Sequence, residues 1–429
     1  MRDDDALLHE VAEFRLFDAL QGRRARRFAR GAEIPRGPLA HRSRLEPVGL
    51  DDLERSILIA AGIGVSGWHF GIPYTESEPG LCTYSARFTG RTVPTGAGIG
   101  TAELIYTDDS GTFFVSSRDA GGDEPDPRPG RDGAAALVER CRRRTRRLSD
   151  GRIELPRTSP HYSDHNVWNA NVPGSTLFVP VTDVAQQLLG FLFVLVGGGF
   201  LIWDDLARRP AGELDRFVRA GLTVPERRYP LTYLEQYLLS TCAMEMSIMC
   251  HNMALALQAM GLGGWMFTGI NPASLLGAAA AQGVPGLGFR FQRDERWAMA
   301  NPVGLDGIYE SFCPPYHSDM AAAVQAFVAL KFGPGGAYDP ATSGPFRDNA
   351  RVKAAAERPT GTLVEAVTEV ASYVWRTYGK FPGTVPTLFV RAYTQAHHLD
   401  VGFYEQSYGT GALLDTHRAH MERWHPGSA

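Results

Sequence analysis

Between about Leu234 and Met260 the chain has few polar residues, while Met244, Ile248, Met249, Met253, Leu257 and Met260 recur at steps of three and four. Gly261 follows at once. This spacing predicts one long helix stopped by a glycine cap. A helix that apolar needs neighbours on every side, so the run predicts the buried central helix of a fold. The methionines read as adaptable core filler, not as a ligand set.

Shorter elements surround it. Asp51 and Asp52 open a second helix over Leu50 to about Ala61, with Leu53, Ile57, Leu58 and Ala61 on its apolar side and Gly62 after it. Gly64-Val65-Ser66-Gly67-Trp68 then reads as a loop. Glu103–Thr107 and Thr112–Val115 are β-prone runs joined by the turn sequence Asp108-Asp109-Ser110-Gly111, which predicts a hairpin. Residues 117–133, rich in Gly, Pro and Asp, read as an exposed loop. A helix from near Ala134 continues into Arg140–Arg147 as a solvated, charged face. Further helices are expected at Met320–Lys331 and Leu363–Tyr378.

Composition narrows the function classes. The 43 basic and 47 acidic residues nearly cancel, giving a net charge of −4, so neither nucleic acid nor an anionic membrane is expected as a partner. Leu188–Trp203 is apolar but too short for a spanning helix and is interrupted by three glycines; a buried helix or strand pair is expected. Met1–Asp5 is acidic and lacks the apolar core of a signal peptide. The five cysteines include no C-x-x-C pair, and reduced thiols in a cytoplasmic protein are the simplest reading.

Three passages carry a resemblance. The first is Arg42-Ser43-Arg44 before Pro47-Val48 and the Leu50–Ala61 helix. The second is Thr92-Val93-Pro94-Thr95-Gly96-Ala97 running into Glu103-Leu104-Ile105-Tyr106. The third is His251-Asn252-Met253-Ala254-Leu255, ending at Gly261-Leu262-Gly263-Gly264. In this order they resemble the flavin-dependent nitroreductase superfamily, the second passage being similar to its azoline-oxidising branch. The resemblance implies an α+β, nitroreductase-like fold: an antiparallel-rich sheet flanked by helices around a long central helix.

It also implies an FMN cofactor and hydride transfer to a small-molecule or peptide-derived substrate, in a homodimer. Arg42, Ser43 and Arg44 would hold the phosphate, since guanidinium forks match its oxygens. Asn252, Gly261, Gly263 and Gly264 would meet the cofactor, and Trp68 and His69, with Tyr74, would line the substrate side. No catalytic side chain is assigned. The implied organisation is a basic N-terminal arm over 1–45, a core over 46–315 with an insertion at about 134–232, and a helical C-terminal extension over 316–429.

Two departures favour a flavin-free binding protein as the alternative. Gly64–His69 replaces the family's serine–asparagine–glutamine–proline loop. Asp306 and Glu310, instead of a basic residue, follow Asn301-Pro302-Val303-Gly304. A third reading is a metal-dependent enzyme using His417 and His420 with His425 or Asp400. Against it stands a tail whose histidines pack on the core or on a partner subunit, so no metal site is assigned. His397 and His398 point to different sides of either a strand or a helix and are not expected to share an ion. Cys313 reads as a buried structural thiol.

Overall fold

Successive side chains of a strand face opposite ways, and in the 103–108 segment both faces are covered. The computed structural model describes residues 3–72, 83, 85–118 and 131–427; Tyr74, Cys82 and most of the expected 117–133 loop lie outside them. β1 (Glu103–Asp108) turns through Asp109 and Ser110 into β2 (Gly111–Val115), as the sequence predicts. Asp108 Oδ1 accepts from the Ser110 amide at 2.9 Å and its hydroxyl at 2.6 Å, closing the turn.

The sheet is completed by β3 (Thr145–Ser149), β4 (Ser175–Asp183), β5 (Gly263–Phe267), β6 (Leu388–Phe389) and β7 (Tyr393–His397). Its order is β5-β7-β4-β1-β2-β3, with β6 also on β4. Every pairing is antiparallel. With the helices described next, the architecture is α+β. The central strand β4 is buried at all its positions, as a strand covered on both faces must be.

Six helices matter here: α1 (Asp52–Ile63), α2 (Val184–Gly197), α3 (Leu231–Met260), α4 (Met320–Phe332), α5 (Gly361–Tyr378) and α6 (Asp415–Trp424). Leu104, Tyr106 and Phe178 pack with Met246, Met249 and Met253 of α3 and with α1. Ile105, Leu177 and Val179 face the other way, toward Trp265, Phe267 and Leu275. A further core joins α2, the start of α3, α4 and α5. Gly62 lies inside α1, where an added Cβ would stand 3.1 Å from Met253 Cγ; the glycine lets α1 and α3 approach.

Several expectations are corrected. The long helix is not covered all round: Tyr233, Tyr237 and Met244 leave 57%, 42% and 48% of their surface exposed, because the sheet, α1 and α2 cover only its other sides. Val65–Trp68 is a strand paired with Thr89–Arg91, not a loop. The arginine run is divided between the helix Arg131–Arg143 and the edge strand β3, where exposed charges discourage pairing with another chain. The 134–232 segment contributes β3 and β4 to the sheet, and 316–429, expected to be helical, contributes β6 and β7 as well as helices. Leu188–Trp203 divides into α2 and the strand Phe200–Asp204. No helix among the described residues is long and apolar enough to cross a membrane.

Candidate functional site

Two regions gather chemistry. The first is a cleft of about 630 Å³ lined by Phe28, Trp168, Phe403, Tyr404 and Tyr408 together with Arg24, Arg26 and Arg27. Ile34 and Leu39 also line it. They belong to the small hairpin that pairs Glu33–Ile34 with His41–Arg42; Arg42, Ser43 and Arg44 are not among the lining residues. Phe28 and Phe403 stack at 4.0 Å, and Arg27 lies over the rings of Trp168 and Trp265 at 5.6 and 5.3 Å.

The arginines are only partly satisfied. Arg26 donates to Gln258 Oε1 at 2.7 Å and to the Ala412 carbonyl at 2.7 Å, yet its Nη2 is buried with no hydrogen-bond partner among the described residues. Arg27 Nε is in the same position. Burial pulls Arg26 down to about 10 and also lowers Arg27, the response of a cation short of compensating anions. The arginine-rich start of the chain was visible in sequence. The aromatic wall was not, since Phe28, Trp168 and Phe403 come from three distant segments.

The expected cofactor residues divide. Arg42 and Arg44 are exposed, Arg42 lying 3.7 Å from Glu33, while Ser43 Oγ accepts from the Leu45 amide at 3.2 Å. Asn252 is used internally, donating to the Thr92 carbonyl at 3.0 Å. The three glycines correct the expectation of an approaching cofactor, because the chain's own atoms fill the space beside them. A Cβ on Gly261 would overlap the backbone of Thr416 and stand 2.9 Å from the His417 amide. One on Gly263 would meet Leu399 and His397, and one on Gly264 the Gln395 backbone. Trp68 packs near Phe88, Phe332 and Tyr338, and the exposed His69 donates its amide to the Phe88 carbonyl at 2.7 Å. Neither lines the cleft.

The second region is a cluster of imidazoles around one carboxylate. Glu54 sits in the first turn of α1, where it and Asp51 form a capping box: Glu54 Oε2 accepts from the Asp51 amide at 2.7 Å. Its other oxygen, Oε1, lies 3.1 Å from His398 Nε2, 2.9 Å from His420 Nε2 and 3.0 Å from His425 Nε2. Glu54 and His398 are fully buried at the side chain, His420 nearly so, and His425 is 13% exposed. Burial alone would raise Glu54, but the three imidazoles hold it well below the usual carboxylate range. Burial opposes charge on the rings too. Glu54 prevails at His398, which is raised, and burial prevails at His420, which is lowered.

His398 reaches this cluster because it follows β7, one step beyond His397, and the strand alternation sends the two apart. His397 Nε2 lies 3.1 Å from the Arg26 carbonyl, as the sequence reading of opposed faces predicts. The expected grouping is corrected in its members: His420 and His425 do converge, but with His398 and Glu54. His417 Nδ1 instead accepts from the Leu414 amide at 3.0 Å, and Asp400 caps the following helix by accepting from the Phe403 amide at 3.1 Å. Cys141, Cys242, Cys250 and Cys313 are buried, and burial pushes the Cys313 thiol up to about 12, which disfavours the nucleophilic thiolate.

No family model and no curated protein matches the chain. Among solved structures, a presumed nitroreductase of Ralstonia eutropha JMP134 is similar over 60% of this chain and 71% of that one, with 13% identity and a TM-score of 0.28. A TM-score that low says nothing about a shared site.

Proposed function

We propose that the chain is an FMN-dependent oxidoreductase of nitroreductase-like build, with the cofactor in the aromatic cleft beside the Glu33–Arg42 hairpin. The observation that carries this reading is the pairing of an aromatic-lined cleft with three arginines, Arg24, Arg26 and Arg27, in its lining. A planar, anionic ligand fits that lining: stacking on the partly exposed Trp168 or Tyr408, and charge-assisted hydrogen bonds to guanidinium. Arg42 and Arg44, at the end of that hairpin and just beyond it, would take the phosphate, as the sequence resemblance implies. Bound FMN supplies hydride acceptance and donation, and the chain's part is to hold, orient and desolvate it. The exposed apolar stripe of Tyr233, Tyr237 and Met244 on α3 supports a homodimer, and the substrate class proposed is a small molecule.

The test is the visible spectrum of freshly purified protein, followed by titration with FMN. Flavin bands near one equivalent are expected. Arg42→Ala and Arg44→Ala should each weaken binding by about 1.5–3 kcal/mol, the worth of a charge-assisted hydrogen bond. A colourless protein that takes up no added FMN would overturn the reading and leave a flavin-free binding protein.

A further inference from the structure

We propose that Glu54, His398, His420 and His425 form a four-coordinate site for a divalent transition-metal ion, zinc by its ligand chemistry. The argument begins with the far side of two rings. His398 Nδ1 lies 2.8 Å from the Val48 carbonyl and His420 Nδ1 lies 2.7 Å from the Met260 carbonyl. A carbonyl can only accept, so in each ring Nδ1 carries the proton. A neutral ring then turns a bare Nε2 lone pair toward Glu54 Oε1, at 3.1 and 2.9 Å. Lone pair against lone pair at that distance is repulsive. Charging both rings would remove the repulsion only by placing two cations beside one carboxylate in a buried site, at a large desolvation cost.

A divalent cation resolves the conflict, because it needs those lone pairs. Imidazole nitrogen and a monodentate carboxylate oxygen are ordinary zinc ligands, and closed four-ligand sites are the structural kind. Bonds of about 2.0–2.1 Å at tetrahedral angles put neighbouring ligand atoms about 3.3 Å apart; the four atoms here lie within 4.8 Å of one another. The backbone acceptors behind His398 and His420 are the outer hydrogen bonds that fix ring orientation in metal sites. The Asp51 amide likewise fixes Glu54 through Oε2, leaving Oε1 for the ion. The ion would join the first turn of α1, the end of β7 and the C-terminal α6, fastening the tail to the core. None of this depends on the cofactor proposed for the cleft.

The experiment uses the full chain with any affinity tag removed, stripped with chelator, reloaded with Zn²⁺ and dialysed, then assayed by elemental analysis. One zinc per chain is expected. Titration with Co²⁺ should give the visible bands of a tetrahedral site, saturating at one equivalent. His425→Ala, at the partly exposed ligand, should lower zinc affinity by at least ~10-fold, the range that loss of even an outer hydrogen-bond partner produces; His9→Ala, at an exposed position of the N-terminal helix Asp4–Glu13, should not. Circular dichroism of each variant separates ligand loss from unfolding, and the wild-type cobalt titration decides the matter if a variant does not fold. Only trace metal after reloading, no tetrahedral cobalt spectrum, or equal affinity in a folded His425→Ala would overturn the site and leave a metal-free imidazole–carboxylate network.

Discussion

Gly261→Ala should destabilise the protein and disturb the histidine cluster together, because Gly261 is the contact between the end of α3 and the start of α6. Its φ of +80° places it in the left-handed region, which costs a residue with a Cβ about 1–2 kcal/mol. The new Cβ would also overlap the Thr416 carbonyl and stand 2.9 Å from the His417 amide. These are backbone atoms that cannot rotate away, so the start of α6 must shift, at about 1–3 kcal/mol for forced overpacking. The sum is about 2–5 kcal/mol, read as the fall in urea unfolding free energy. His420 rides on α6, so zinc affinity should fall in the same variant. Gly261→Asn separates the two causes, since asparagine tolerates the left-handed region but still carries the Cβ; it should recover only the backbone part. A Gly261→Ala protein within about 0.5 kcal/mol of wild type, or an asparagine variant as stable as the glycine protein, would refute the packing argument.

Two other perturbations test the core. Arg91 Nη2 and Glu245 Oε1 form a buried ion pair at 2.6 Å, with side chains 3% and 1% exposed. Arg91→Met should cost about 3–5 kcal/mol by stranding the carboxylate, and Arg91→Met/Glu245→Leu should recover most of it; a single-variant loss below about 1 kcal/mol in urea unfolding would refute the pair's role in the core. Burial raises Glu103 from 4.5 to about 6, so the folded state holds this proton more tightly than the unfolded one. Its contribution is therefore lost as pH rises from about 4 to about 6 and is constant above, amounting to about 2 kcal/mol. Glu103→Gln should remove that slope, and parallel stability–pH curves for the two proteins would show the shift to be absent.

What was legible in sequence was local. The period of the Met244–Met260 run and the glycine after it announced the long helix, because helical periodicity and a left-handed cap are properties of a few turns of chain. Asp108–Gly111 announced its hairpin for the same reason. The opposed directions of His397 and His398 followed from strand alternation alone. The same reasoning misread Val65–Trp68 as a loop, since its partner Thr89–Arg91 lies some twenty residues on and pairing is invisible to composition.

The sites were decided by tertiary structure. Glu54 looked like an unremarked first-turn carboxylate, and only the folding of β7 and α6 onto α1 places His398, His420 and His425 around its oxygen. His417, one helical turn from His420, was an equal candidate in sequence and is turned to the Leu414 amide instead. The glycines after α3 signalled close approach correctly, but not to what: the approaching atoms are those of Thr416, Leu399 and Gln395. Sequence spacing determines which side chains share an element, whereas convergence of residues some 340 to 370 positions apart depends on how sheet order and helix docking close the chain on itself.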